Sequence, residues 1–204
     1  AYEMPEGTEV IYGSAFINSR ISSVKIPDSV KEIGYSAFCD CHDLSDRGFG
    51  RGISDYGDKG GSNIFTRCTS LKTLKVPGYI KTIGTSMFSE CEFKSLELEE
   101  GITTISSWAF DSVDFEEVTL PHSLKKICSN NFNKAKTINV HERIPEGLIS
   151  NMVSRYKHNA DRSGGDIDDD NLLLKLVITD DEGEKTLYIP RYIYIGKIAS
   201  SLDL

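Results

Sequence analysis

The stretch ISSVKIPDSVKEIGYSAF, residues 21–38, contains the pattern that decides the fold. It opens with Val24 and Ile26 separated by a lysine, and this alternation is typical of a strand with one buried face. Pro27 then ends the strand, because proline cannot continue a backbone hydrogen-bond ladder. The remaining residues form a short return to Phe38, whose side chain we expect to lie in the core.

The same pattern recurs along the chain. Six phenylalanines occupy its last position: Phe16, Phe38, Phe65, Phe88, Phe110 and Phe132. Their spacings are 22, 27, 23, 22 and 22 residues. Such a period, with several positions in agreement, is the signature of stacked repeats. The sequence therefore predicts an α/β repeat, a solenoid of about six coils with 22–23 residues each. We expect a parallel strand ladder joined by short helical or irregular returns.

The coil between Phe38 and Phe65 is longer than the others and interrupts the pattern. Residues 45–62 are rich in glycine, and the alignment places Arg51 and Ile53 at strand positions. Because glycine loses much backbone entropy on ordering, we interpret 45–62 as an irregular surface insertion. The alternative is a binding loop, since long insertions on rigid scaffolds often carry function. Its candidate residues are Arg47, Phe49, Arg51 and Tyr56.

The repeat fades near residue 144, so we predict a solenoid domain over 1–144 and a second region over 145–204. Apolar residues at helical spacing predict a helix over 148–157, followed by an acidic loop over 158–171. Two apolar runs flanking an acidic, glycine-bearing turn predict a β-hairpin over 172–195. A solenoid end exposes its core and requires a cap. Region 145–204 is interpreted as that cap or as a separate small module.

The composition excludes several functional classes. Among 204 residues, 31 acidic side chains outnumber 23 basic ones, and the net charge is −8. Nucleic acid is therefore not expected as the main partner, because binding backbone phosphates needs a basic face. No apolar run reaches the ~18 residues that a membrane span requires, and no signal peptide is recognised.

No arrangement of residues predicts catalysis or a metal site. The four histidines fall in turns without an H-E-x-x-H motif, and no G-x-S-x-G motif occurs. Five cysteines, an odd number, include no second pair at zinc spacing, so we expect structural thiols. The aspartates between 166 and 170 lack EF-hand spacing, and we interpret them as a solvated acidic loop rather than a calcium site. We expect no enzyme and no cofactor.

The repeat resembles a known family. The pattern L-x-x-V-x-I-P-x-S-V-x-x-I-G-x-x-A-F-x-x-C, best matched by residues 21–41 and 71–91, resembles the BspA-like, or treponemal, class of leucine-rich repeats. The resemblance extends from residue 1 to about 144. It implies a leucine-rich-repeat solenoid in a bacterial surface or secreted protein that binds other proteins, and it implies no enzymatic activity.

Outward-facing strand residues provide the candidate binding surface, since equivalent positions stack along a solenoid. The candidate ligand-binding residues on this strand face are Lys25, Lys72, Lys75, Lys94, Glu97 and Glu116. Stacking predicts two opposite-charge pairs, Lys75 with Glu97 and Lys94 with Glu116. Six strand spacings make this strip roughly 29 Å long.

These observations favour a non-enzymatic protein-binding module of a bacterial surface or secreted protein, acting in adhesion or host interaction and lying outside the cell or on its surface. The ligand is expected to be a protein. The alternative is a structural or assembly protein that uses the solenoid as a rigid scaffold, in a virion or the cytoplasm. A third possibility is a regulatory domain of a larger enzyme. Tyr2 and Met4 already occupy strand positions with no cap before them, and we expect the natural protein to continue upstream.

Overall fold

A computed structural model of the chain describes residues 1–53, 56, 61–150 and 173–190. Most of these residues form consecutive coils with one outward strand after the preceding return, and within the described residues five coils have a second strand, of two residues, before the next return. Strands of neighbouring coils pair in parallel. The predicted repeat solenoid is confirmed.

The strands follow the repeat. The first strand of each coil lies in β1 (Tyr2–Glu3), β3 (Ser23–Lys25), β5 (Asp46–Gly48), β6 (Thr73–Val76), β8 (Ser95–Leu98), β10 (Glu117–Thr119) and β12 (Thr137–His141). The second strand lies in β2 (Val10–Ile11), β4 (Glu32–Ile33), β7 (Thr82–Ile83), β9 (Thr104–Ile105) and β11 (Lys126–Ile127). Equivalent repeat positions pair directly, as Leu74 does with Leu96 and Ile83 with Ile105. This register places equivalent residues of neighbouring coils side by side, so the same type of side chain fits a given position in every coil.

The six repeat phenylalanines form a continuous stack of rings through the core. Successive ring centroids lie 5.1, 5.3, 5.7, 5.8 and 5.2 Å apart, and the rings are within 18° of parallel. Phe16, at the first coil, is only partly buried, whereas the other five are fully buried. Each inner ring therefore packs against the coils on both of its sides.

The returns are hydrogen-bonded turns, so the irregular form of the predicted return is the one observed. Left-handed residues stand two positions before the repeat phenylalanine in all six coils: Ser14, Ser36, Asn63, Ser86, Trp108 and Asn130. A second set stands two positions after it: Asn18, Asp40, Arg67, Glu90 and Ser112. These left-handed residues direct backbone N–H groups toward the next coil. For example, the Phe38 amide donates to the carbonyl of Ile64, in the next coil, at 2.9 Å. The returns thus form a ladder of their own.

The last return replaces one backbone acceptor with a side chain. The Phe110 amide donates to the Oδ1 atom of Asn131 at 3.0 Å instead of to a main-chain carbonyl. The Nδ2 atom of Asn131 donates to the carbonyls of Ser106 and Cys128, each at 2.9 Å. Asn131 is 2% exposed. This amide closes the return ladder where the repeat ends.

The strand prediction in the third coil was wrong by four residues, since Arg47 and not Arg51 pairs with Val24. β5 pairs with β3 through Val24 and Arg47, so the strand precedes Arg51 and Ile53. The extra residues therefore follow the strand. Phe49, directly after β5, packs against the core as Ile26 does in the preceding coil. Pairing with β3 sets the register of β5. The neighbouring glycines interrupt the alternation of apolar and polar residues, so the sequence pattern does not reveal this register.

The chain after the last coil extends the same sheet. β13 (Leu173–Asp180) pairs in parallel with β12, and β14 (Gly183–Pro190) pairs antiparallel with β13. The predicted hairpin is confirmed over 173–190, and residues 191–195 lie outside the described part. Leu174 and Leu176 join the hydrophobic core. Within the described residues, 148–150 have helical backbone, and this single turn does not support the predicted helix over 148–157. The rest of that range and the acidic loop over 158–171 lie outside the described residues.

Candidate functional site

The strand face carries ion pairs between neighbouring coils. The Nζ atom of Lys75 lies 2.6 Å from Glu97 Oε1 and 2.9 Å from Glu99 Oε1, which confirms the predicted pair with Glu97. Hydrogen bonds to these carboxylates raise the pKa of Lys75, and the bond to Glu97 has the larger effect. Lys72 lies 2.7 Å from Glu92, and this contact lowers the pKa of the Glu92 carboxyl. Two of the predicted lysines are thus already neutralised within the solenoid.

The second predicted pair, Lys94 with Glu116, was wrong. Glu116 accepts a hydrogen bond at 2.8 Å from Lys136, one coil further along the chain. A residue in a stacked column has a neighbour on each side, and spacing alone does not choose between them. Lys94 is exposed, and it makes no ion pair with any of the described residues.

Two of the predicted lysines therefore carry uncompensated charge. Lys25 is also exposed and makes no ion pair within the described part of the chain. Lys94 lines a surface depression together with Lys72, Glu92 and Phe93. Three carboxylates, those of Glu90, Glu92 and Asp114, also line it, and each lies within 4 Å of a basic side chain, at 3.9, 2.7 and 3.4 Å.

The insertion candidates lie in different environments. Arg47 belongs to β5. Phe49 and Tyr56 pack inward: their ring centroids lie 6.3 Å apart, and Tyr56 is 1% exposed. Arg51 is exposed, and its guanidinium lies 5.7 Å from the centre of the Tyr79 ring. The structure thus uses two of these aromatic residues as core and leaves Arg51 at the surface.

Three exposed aromatic side chains lie on the return side, and the sequence prediction missed them. Tyr12, Tyr35 and Trp108 are 79%, 65% and 44% exposed. They stand two to four positions before the repeat phenylalanine, where most other coils have glycine, serine, threonine or asparagine. No charged residue occupies these three positions in any of the six coils. The departure from small residues is the signal that would have identified them.

The cysteines are structural. The thiols of Cys41, Cys68 and Cys91 each donate to the carbonyl of the repeat phenylalanine one repeat earlier, at 3.0, 3.2 and 3.1 Å. Burial raises the pKa of Cys68 far above its ordinary value. Burial is also the largest cause of the raised pKa of Cys39, which is about 11. Because the thiolate is the reactive form, these groups are poor nucleophiles. All five cysteines are free.

An ion pair at a corner of the solenoid joins two coils. The Nη2 atom of Arg67 donates to Asp40 Oδ2 at 2.8 Å, and this hydrogen bond is the main cause of the lowered pKa of Asp40. Both side chains extend from left-handed residues two positions after a repeat phenylalanine. Their contact is therefore a product of stacking.

The described residues contain no cluster of three His, Cys, Asp or Glu side chains arranged to hold a metal ion. His122 and His141 stack with ring centroids 3.6 Å apart, one coil from each other. Within the same described ranges, no helix has the length and apolar character needed to cross a bilayer.

A family model described as "BspA type Leucine rich repeat region" matches residues 1–45 and 58–154 with six copies. No curated protein sequence matches the chain. The chain is similar in structure to the pneumococcal vaccine antigen PcpA, at 25% identity and a TM-score of 0.56, over 69% of this chain and 40% of that one.

Two further solved structures are similar. A leucine-rich cell surface protein from Faecalibacterium prausnitzii A2-165 aligns at 20% identity and a TM-score of 0.49, over 68% of this chain and 46% of that one. A leucine-rich repeat protein from Bacteroides ovatus ATCC 8483 aligns at 15% identity and a TM-score of 0.31, over 69% of this chain and 57% of that one. The chain thus spans about half or less of the first two structures.

Proposed function

Because this chain belongs to the BspA-type leucine-rich repeat family, we propose that it is a protein-binding module displayed on, or secreted from, a bacterial cell. We propose adhesion or contact with a host protein as its role. A vaccine antigen has to be accessible to antibodies, so the similarity to PcpA supports display outside the cell.

The observation that carries this proposal is the pair of uncompensated lysines on a rigid strand face. Strands paired in register over a stack of aromatic rings hold the face in one conformation, which lowers the entropy lost on binding. Lys72 and Lys75 would have to leave existing partners to bind a ligand. Lys25 and Lys94 would not. We therefore assign the contact with an acidic segment of a protein ligand to these two.

The depression beside Lys94 gives the proposed contact a shape. Its other charged lining residues are already in ion pairs, Glu92 with Lys72, Glu90 with Arg67 and Asp114 with Lys134. A ligand carboxylate would therefore bind at Lys94, whose charge has no ion-pair partner among the described residues. Because the module has a negative net charge, an acidic ligand is attracted by the lysine side chains at the contact and not by the molecule as a whole. Salt screens such exposed charges, so the affinity should fall as the salt concentration rises.

We also propose that the C-terminal hairpin acts as the cap of the solenoid. β13 continues the sheet of β12 with five paired positions, and Leu174 and Leu176 cover the last coil. A cap of this kind removes the exposed core surface that a repeat array presents at its end.

The function is tested by charge reversal on the two faces. The variant Lys25→Glu/Lys94→Glu changes the strand face, and the matched control Lys31→Glu/Lys125→Glu changes two exposed lysines on the return side. Both variants carry the same net charge. Binding to immobilised host extracellular-matrix proteins is measured by biolayer interferometry at low and physiological salt. We expect at least tenfold weaker binding in the first variant alone. Equal binding by both variants would place the site elsewhere, and no binding by the unmodified chain would refute the adhesion role.

A further inference from the structure

Among the strands that the structure describes, the sheet of the C-terminal hairpin ends at β14. It is the last strand of the order β10–β12–β13–β14, and within the described residues it pairs with β13 alone. It pairs with β13 over eight positions, and residues 183–188 are all exposed. An edge strand of this length presents a row of main-chain donors and acceptors to any extended chain.

The core column of the solenoid also continues onto this strand. Val118 pairs with Ile138, Ile138 with Leu176, and Leu176 with Leu187. The side chains of this column lie in the core until Leu187, which is 47% exposed. The next strand along the column would cover Leu187 and the partly buried Ile189.

The turn end of the strand is acidic. Lys185 is held by Asp180 and Glu182, each at 2.9 Å. Asp181 and Glu184 are exposed and make no ion pair among the described residues. A partner that places a basic side chain at this end gains a charge contact without breaking an existing one.

We propose that β14 is a docking edge for an extended segment of another polypeptide, one with alternating apolar residues and a basic residue near the Asp181–Glu184 turn. The segment pairs with β14 through its main chain, covers Leu187 with its apolar side, and so adds a strand to the solenoid sheet. This proposal rests on the proposed protein-binding function and gives it a second surface and a class of ligand.

A second folded copy fits the edge less well. Eight residues at ~3.4 Å give an edge of about 27 Å, which offers a few hundred Å² and not the ~800 Å² per partner of a stable dimer. Two copies would also bring net charges of −8 together. A short basic segment is favoured on both counts.

The probe is the synthetic peptide KTVTVTVK, capped at both termini and labelled with a fluorophore, in which either orientation places a lysine at the acidic turn. Binding to the full chain is measured by fluorescence anisotropy. We expect saturable binding, and at least tenfold weaker binding of a control peptide with N-methyl groups on its four central residues, because these block main-chain pairing on both edges.

Matched protein variants localise the contact. Leu187→Lys should weaken binding at least tenfold. Ile17→Lys, at an equally exposed apolar residue on the first coil, should leave binding unchanged. Asp181→Lys/Glu184→Lys should weaken it severalfold at low salt. Equal unfolding midpoints establish that each variant is folded. Hydrogen exchange should show that the β14 amides facing away from β13 become protected only when the peptide is present.

Several results would overturn the proposal. They are absence of saturable binding, binding unaffected by N-methylation, and protection in the free chain of the β14 amides that face away from β13, which would show that another part of the chain covers the edge. Concentration-dependent dimerisation abolished by Leu187→Lys would assign the edge to a second copy. The Lys25→Glu/Lys94→Glu variant should retain peptide binding, so failure of the strand-face site and failure of the β14 edge are distinguishable.

Discussion

Replacing Phe88 by alanine should destabilise the solenoid more than any single change at its surface. The Phe88 ring is fully buried and stacks between Phe65 and Phe110 at 5.7 and 5.8 Å. Phe93 and Phe49 meet it edge-on at 5.8 and 6.4 Å. Truncating a buried phenylalanine costs ~3–5 kcal/mol through lost burial and the cavity left behind. Four aromatic contacts, each ~0.5–1.5 kcal/mol, favour the upper part of that range.

Urea unfolding followed by circular dichroism measures this loss. With a dependence of about 2 kcal/mol per molar urea, the midpoint should fall by ~1.5–2.5 M. The control is Phe16→Ala, because Phe16 has the same repeat position but is partly exposed and has one stacked neighbour, Phe38 at 5.1 Å. Its cost should be about half as large. Equal midpoints for the two variants, or a shift below ~0.5 M for Phe88→Ala, would show that the ring stack does not stabilise the fold as argued.

Three further outcomes are expected. Asn131→Ala should lower the free energy of unfolding by ~2–3 kcal/mol in the same assay, since it leaves the buried Phe110 amide without its acceptor; a smaller effect than that of an exposed asparagine would contradict this role. Arg67→Met should raise the pKa of Asp40 toward its ordinary value, as followed by NMR titration. Because the folded pKa of Asp40 is lowered, the stability that this pair contributes is present above pH ~4 and is lost as the pH falls through the lowered pKa. The variant lacks this contribution, so it should lose less stability than the unmodified chain on acidification. Thiol titration of the native chain should leave Cys68 unreacted until urea unfolds it, and rapid native reaction would show that the thiol column is open.

The repeat itself was predictable from the sequence because it is periodic. Alternation around Val24 and the recurrence of Phe38 at equivalent positions are local patterns, and each copy repeats the evidence of the others. The in-register pairing of Leu74 with Leu96 and the continuous ring stack follow from that period. The hairpin was predictable for a related reason, since two apolar runs flank a turn that carries acidic residues and glycine.

The candidate site was predictable only in part. The sequence identified the strand face and the Lys75–Glu97 pair, which lie at directly paired positions. It did not identify the partner of Glu116, because a stacked side chain has neighbours in two coils and rotamer geometry selects one. The exposed rings of Tyr12 and Tyr35 were missed because the repeat pattern marks their positions as turns.

The sequence by itself determined the number of coils, their order and the core residues of the regular coils, because these depend on a local period that each regular copy satisfies alone. The tertiary structure decided what depends on contact between coils. It aligned β5 with β3 and thereby brought Phe49 rather than Ile53 to the position after the strand. It also held non-glycine residues in left-handed returns, where N–H groups reach carbonyls in the next coil. A left-handed residue is unfavourable in an isolated segment, so only the neighbouring coil, through these hydrogen bonds, selects it.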